Sequence, residues 1–368
     1  MLRRRPKYLR PINAGPYRRI QLGRAASIHL SVASSVIDDN EASGIERAVF
    51  GTGKRDQIDD WLARHLRARL GVDLSRILLR TGRIAAVYGG ALSDGRQVAI
   101  KVHRDPADLP YLGAVAACQR RLADAGYPCP DPLDGPAATD GRTALIETLR
   151  TDGEPGNGHE PTIRRAMAQA LFAQRDLLRS SPVDAIIAGA PAWSRYERGP
   201  WPTPHDPIFD FTVTPEEFTW IDDLARRAAG ALEQVGPPDA IAHADWCCGN
   251  LRFLDGAVSS SYDWDSLAAA PEAVVVGVSA GDFTSGGVVC ADSPTPDEVA
   301  AFLRDYEDAR SHPFSRAEQQ NAAAAVTWVL AYNARCGVSF LPDDGSPPAG
   351  SALQALTTYG AAYLDIRW

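Results

Sequence analysis

Lysine is nearly missing from this chain. Of its 38 Lys and Arg residues only Lys7, Lys54 and Lys101 are lysine. Arginine supplies the ordinary basic surface, so each lysine carries more weight as a chemical signal. Also missing is any apolar run near the ~20 residues that a membrane-spanning helix needs, although 45% of the 368 residues are hydrophobic. There is no low-complexity tract. The six cysteines (118, 129, 247, 248, 290 and 336) include no C-x-x-C pair and no zinc-ligand spacing, and the adjacent Cys247 and Cys248 do not suit two ligands of one metal. They read as reduced thiols of a soluble, cytoplasmic protein of two lobes.

Acid is absent from residues 1–30, which hold eight Lys or Arg. Residues 31–148 are balanced, with 15 basic and 16 acidic side chains, and residues 149–368 carry 15 basic and 30 acidic. The whole negative excess therefore lies in the C-terminal part. Solvated helix faces are the ordinary explanation; a field that gathers a cationic small molecule is the functional one.

The most informative stretch is Ile241 to Ser266. His243, Asp245 and Asn250 stand in the order H-x-D-x-x-x-x-N, with a carboxylate and an amide on one loop. Leu251 to Leu254 reads as a strand, Asp255-Gly256 as a tight turn and Ala257 to Tyr262 as the returning strand. Such a hairpin folds Asp263 back towards Asn250. An Asn oxygen and an Asp carboxylate converging there are hard ligands of the kind Mg²⁺ takes beside nucleotide phosphates. The plainer alternative is a core histidine (His243), a helix cap (Asp245) and two turn acids (Asp263, Asp265).

The order resembles the H-R-D-x-x-x-x-N and D-F-G elements of protein kinases and, more closely, the aminoglycoside phosphotransferase family, whose loop runs H-G-D-x-x-x-x-N followed by I-D-W or similar. Ala244 stands where that family has Gly, and Tyr262-Asp263-Trp264 fits its second element. A protein kinase would need a long activation segment before A-P-E. Here Ala270-Pro271-Glu272 follows Asp263 almost at once, which favours a small-molecule acceptor.

The resemblance covers about residues 55–340 and implies an α+β, two-lobed kinase-like fold: a small antiparallel-sheet N-lobe and a mainly helical C-lobe. In order, 1–44 is expected to be a poorly ordered basic extension or the product of an upstream start codon, 45–148 a nucleotide-binding lobe, and 149–368 a catalytic and acceptor-binding lobe. A helix is predicted from the Ile58, Trp61, Leu62, Leu66, Leu70 periodicity, with Gly71 as its stop. Strands are predicted at Ile77 to Arg80, Ala85 to Leu92, Gln97 to His103 and Arg142 to Thr148. Gly82, between the first two, sits where the kinase-like fold covers phosphates with backbone N–H groups. Val98-Ala99-Ile100-Lys101 matches the V-A-I-K of kinases, in which the lysine holds the α- and β-phosphates and a helix glutamate orients it.

That helix, from about Pro110 to Ala125, carries no Glu. Gln119 is at the inner edge of its Leu112, Val115, Cys118, Leu122 stripe and is expected to hydrogen-bond Lys101 when nucleotide is bound. Glu147 to Leu149 would be the hinge whose backbone meets adenine. In the second lobe helices are predicted around 163–178, from the capping-box pattern Thr214-x-x-Glu217 to Gly236, from Thr295-Pro296-x-Glu298 to Arg310, from Ser315-x-x-Glu318 to Gly337, and over 348–366. The irregular Pro- and Trp-rich segment 190–210 is a candidate acceptor wall.

By resemblance, then, the expected reaction is transfer of the γ-phosphoryl of ATP, with GTP as the second option, to a small-molecule hydroxyl. Asp245 is the catalytic base; Lys101, Gln119, Gly82, Glu147 and Leu149 bind nucleotide; Asn250 and Asp263 hold Mg²⁺; His243 and Asp265 support. A nucleotide and a small acceptor are the expected partners, with no nucleic acid or membrane. A kinase for another metabolite and a regulatory pseudokinase stay open as alternatives.

Overall fold

The computed structural model of the protein describes residues 41–104, 106–189, 201–206, 208–233, 235–342 and 345–368. Almost all of the basic extension, and residues 190–200 of the Pro- and Trp-rich segment, lie outside the described residues.

The N-terminal half is built on a five-stranded antiparallel sheet. Two helices, α1 (Gly44–Phe50) and α2 (Arg55–Leu70), lead into β1 (Leu74–Thr81), β2 (Ala86–Leu92) and β3 (Gln97–Val102), then α3 (Leu109–Asp124), β4 (Pro132–Thr139) and β5 (Arg142–Thr148). The strand order is β1-β2-β3-β5-β4. Ile58, Trp61, Leu62 and Leu66 are the buried stripe of α2, and they pack with Val98, Ile100 and Val102 of β3 and Ala144 and Ile146 of β5. Alternation along each strand then turns Ala99, Lys101, Leu145 and Glu147 to the opposite face. Leu145 accordingly joins the other core, with Leu112, Val115, Cys118 and Leu122 of α3.

Strand β4 was not expected. It carries Pro132 and Pro136 and two irregularities of register against β5, and prolines are tolerated there because β4 is the edge of the sheet.

The second half is mainly helical: α4 (Pro161–Leu178), α5 (Asp184–Gly189), α6 (Thr219–Leu232), α7 (Glu272–Asp282), α8 (Pro296–Arg310), α9 (Arg316–Val338) and α10 (Ala352–Tyr359). Two small sheets interrupt it, β6 (Ala240–His243) with β9 (Leu267–Ala270), and β7 (Leu251–Leu254) with β8 (Ala257–Ser261). Helix α9 is buried on nearly all sides from Ala322 to Val338, as its alanine-rich sequence allows. Its close neighbour is α7, whose Gly277 leaves no room for a side chain: a Cβ there would lie 2.4 Å from the Ala322 carbonyl oxygen. The capping boxes at Thr295/Glu298 and Ser315/Glu318 both form. The one expected at Thr214/Glu217 does not. The Thr214 hydroxyl is engaged instead by Asp222 and Arg335, and α6 begins at Thr219 after a short 3₁₀ turn. Among the described residues no helix is long and apolar enough to cross a membrane.

Candidate functional site

The Asp255-Gly256 turn forms with both residues at positive φ, 51° and 77°, the backbone a two-residue hairpin requires. Leu251 pairs with Ser261 and Leu254 with Ala257. One step beyond, the Tyr262 N–H donates to the Asn250 carbonyl at 2.9 Å. This brings Asp263 beside Asn250. Asp263 itself is left-handed, φ 63° and ψ 43°, a conformation that costs a non-glycine residue free energy and that surrounding structure must enforce. Pairing of His243 with Leu267 in the β6–β9 ladder closes the loop from the other side.

His243 is the hub of this arrangement rather than an exposed group. Its ring lies wholly buried, edge-on to Trp246 and Trp264, with Nε2 2.8 Å from the Tyr262 carbonyl. Its backbone N–H donates to Gln174 Oε1 at 3.1 Å. The segments on either side of the β7–β8 hairpin are thereby tied through one residue.

Asn250 Nδ2 donates to the Asp245 carbonyl at 2.9 Å and to Asp245 Oδ2 at 2.8 Å. Both amide hydrogens are spent on Asp245, which leaves the amide oxygen as the atom available to a cation. Lys101 reaches across from β3 to hydrogen-bond both Asp263 Oδ1 and Asp265 Oδ1. Burial works against the Asp265 carboxylate, but the Lys101 ammonium holds it down to about 2. Asp263 goes the other way: burial, then the negative charges of Asp265 and Asp245, raise it despite Lys101. One ammonium among three acids leaves negative charge uncompensated, an environment that fits a divalent cation held by Asn250 and Asp263. His103 also faces Asp265, 3.7 Å from it, and burial depresses His103 to about 4.

Two residues that the sequence reading missed complete the centre. Tyr111 of α3 donates its hydroxyl to the carbonyls of Asp265 (2.7 Å) and Leu267 (2.9 Å), docking α3 on the loop. Asp282, the last residue of α7, lies close enough to Asp245 and Cys247 for one donor atom of each to fall within 4.8 Å of the others. Asn333 donates to Asp282 Oδ1 at 2.8 Å, while burial and the nearby Asp245 push the Asp282 carboxyl well up. Cys247 is pushed up by burial too, which disfavours the thiolate a metal would want. An acid ending the apolar run Val274 to Ala280 was the available signal for Asp282.

The nucleotide side departs from expectation in two places. Gln119, 1% exposed, does not turn to Lys101. Its Nε2 donates to the Pro130 carbonyl at 3.0 Å and to Glu147 Oε2 at 2.8 Å, and the lysine takes its acids from beyond β8. At the expected hinge the Leu149 N–H is taken by the Gln97 carbonyl at 3.1 Å and Glu147 pairs with Ala99 in the sheet, so these positions continue the ladder instead of presenting free donors. Leu149 offers its side chain instead, packed over Gly89 of β2. Gly82 is where a glycine is required: at φ 124° a Cβ would fall 2.0 Å from the Ala85 carbonyl oxygen.

No protein-family model and no curated protein matches the chain. Solved structures do. The amicoumacin kinase hAmiN, in complex with AMP-PNP, Ca²⁺ and Ami, aligns at a TM-score of 0.53 and 12% identity over 78% of this chain and 88% of its own. A thermostable mutant of aminoglycoside phosphotransferase APH(4)-Ia, in ternary complex with ADP and hygromycin B, aligns at 0.51 and 15% identity over 83% and 99%. A further mutant of that enzyme, with AMP-PNP and hygromycin B, aligns at 0.51 and 16% identity over 82% and 98%. At such identities the likeness establishes the fold: this chain has the two-lobed kinase-like fold of these phosphotransferases, as the sequence resemblance implied.

Proposed function

We propose that this chain is a small-molecule phosphotransferase that moves the γ-phosphoryl of ATP to a hydroxyl, with an amine-bearing acceptor as the favoured class. The observation that carries the reading is the Asn250 amide, whose nitrogen is committed twice to Asp245 and whose oxygen is thereby left to a cation, on the strand end that the hairpin sets beside Asp263 and its Lys101 ammonium. The structures named above contain nucleotides and antibiotics, which supports the same class of donor and acceptor. The proposal divides the chain near residue 148 into a nucleotide-binding part and a catalytic part.

Lys101 holds the phosphates of the donor, and the backbone around Gly82 covers them. Asn250 and Asp263 would hold Mg²⁺, which supplies neutralisation of the phosphate oxygens. Asp245 accepts the acceptor hydroxyl's proton as the new O–P bond forms and the bond from the γ-phosphorus to the bridging oxygen breaks, leaving ADP. Catalysis of this kind is mostly positioning and electrostatics, and the hydrogen bond from Asn250 fixes the Asp245 carboxylate for it. On the acceptor side Asp245 and Asp282 stand together, and among the described residues neither pairs with a Lys or Arg. That acid pair supports a cationic acceptor, whose positive charge would favour the ionised form of Asp282 against the burial that raises it.

A regulatory pseudokinase is the second reading, favoured by the grip of Asp263 and Asp265 on Lys101. Mg-ATP turnover measured across a panel of aminated and neutral hydroxyl compounds separates the two. Nucleotide binding with no phosphorylated product from any acceptor would rule out the transferase.

A further inference from the structure

In a site that must hold a lysine against phosphates, the α3 helix offers no glutamate. The structure offers one from another direction. Lys101 faces Leu145 across the β3–β5 ladder and Glu147 faces Ala99, so Lys101 and Glu147 are diagonal neighbours on one face of the sheet. Residues so related lie about 7–8 Å apart, with their Cβ atoms somewhat closer, within the combined reach of a lysine and a glutamate. The side-chain amide of Gln119 grips Glu147 from above: one donor goes to Glu147 Oε2 and the same nitrogen also holds the Pro130 carbonyl. With its nitrogen committed, the amide cannot turn over without breaking both bonds. Glu147 Oε1 has no hydrogen-bond partner among the described residues.

Lys101 has three donors, and the two that are engaged go to Asp263 and Asp265. The reading of the previous section, on which this inference rests, assigns Asp263 to a cation when nucleotide binds. Its oxygens are then drawn away from the ammonium, which keeps Asp265 and gains the phosphates, and whose third donor can take a further acceptor on the same face of the sheet.

We propose that Glu147 is a positioning residue for Lys101: in the nucleotide-bound state the lysine exchanges Asp263 for the Glu147 carboxylate, which Gln119 holds in place. The acid then stands on the strand and the amide on the helix. This accounts for both observations at once, an α3 helix with no glutamate and a half-buried glutamate on the Lys101 face of the sheet. Burial pushes Glu147 up to about 7, while the Gln119 hydrogen bond and the Lys101 charge oppose that rise. The titratable groups around it are Lys101 on β3, Asp263 and Asp265 beyond β8, and Cys129 after α3.

The test is a charge exchange in the full chain. Glu147→Gln should weaken Mg-ATP binding, read by calorimetry, by ~10-fold to ~100-fold, the worth of one charge-assisted hydrogen bond. The double variant Gln119→Glu/Glu147→Gln, which returns the acid to the helix, should recover most of that loss. In the wild type, nucleotide affinity should fall as pH drops through about 7 more steeply than in Glu147→Gln. Unchanged affinity in Glu147→Gln overturns the proposal. So does a loss that the double variant fails to recover while its thermal unfolding matches the wild type; if the double variant is itself unstable, equal pH profiles for wild type and Glu147→Gln overturn it. Wild-type protein that binds no nucleotide would end both this inference and the kinase reading, whereas normal wild-type binding with no effect at position 147 ends this one alone.

Discussion

Asn250 and Asp245 form a closed pair in which one amide nitrogen serves both the backbone and the side chain of the same aspartate, at 2.9 and 2.8 Å. On the proposed function their roles separate despite the contact: the nitrogen end would orient the base and the oxygen end would be left for a cation. Asp245→Asn should therefore leave Mg-ATP binding nearly intact while lowering turnover by ~10² to ~10⁴-fold, the usual worth of a general base. Asp263→Asn should instead abolish Mg-dependent nucleotide binding. Calorimetry and turnover on the same two variants check the assignment; equal losses of affinity would show it to be wrong.

The α7–α9 contact sets the position of Asp282 and should be sensitive to a single methyl group. Gly277→Ala puts a carbon 2.4 Å from the Ala322 carbonyl oxygen and 2.8 Å from the Ala325 side chain. Backbone cannot yield there as a flexible side chain could. Urea denaturation should show a loss of ~1–3 kcal/mol, the range for overpacking a tight interior. A variant as stable as the wild type would mean that the two helices have freedom the close packing denies.

His159 and Glu298 join the segment before α4 to the first turn of α8, with Nδ1 and Oε1 2.7 Å apart. The Glu298 hydrogen bond raises His159 above its ordinary 6.5. Against the opposing effect of burial, the His159 and Thr295 hydrogen bonds hold Glu298 down to about 2. A raised histidine stabilises fully below its unfolded value and loses that contribution as pH climbs through the folded one. A depressed glutamate stabilises above its unfolded value of 4.5 and loses the contribution as pH falls towards about 2. The pair should thus help most between about pH 4.5 and 6.5. The difference in Tm between wild type and His159→Ala, followed from about pH 3 to 9, should peak in that window, and a flat difference would refute the coupling.

Acidic charge beside the proposed base has a kinetic signature. With Asp245 and Asp282 adjacent and without basic partners among the described residues, a cationic acceptor should show a kcat/KM that falls as salt rises, because screening shortens the reach of the field. Asp282→Asn should flatten that dependence for an aminated acceptor and leave a neutral one unaffected. A neutral acceptor that outperforms every amine at low and high salt would exclude the cationic class.

Much of the site could be read from the chain because its geometry is local. The hairpin from Leu251 to Ser261 follows from a two-residue turn that accepts positive φ, and the hairpin alone carries Asp263 back to Asn250. Capping boxes at Thr295 and Ser315 are equally local, each confined to three residues. Thr214 shows the limit: it has the same pattern, yet Arg335, more than a hundred residues later, takes its hydroxyl. The resemblance of Val98-Ala99-Ile100-Lys101 to V-A-I-K marked Lys101 as an expected phosphate ligand, but its resting partners lie 162 and 164 residues away. Which acid meets that lysine depends on how the sheet, α3 and the catalytic hairpin pack. The chain's own order determined that two aspartates, an amide and a lysine would be present. Only the tertiary structure decided that Gln119 would serve Glu147 and that Asp282 would stand beside Asp245, because buried charges settle on whatever partner the packed core leaves within reach.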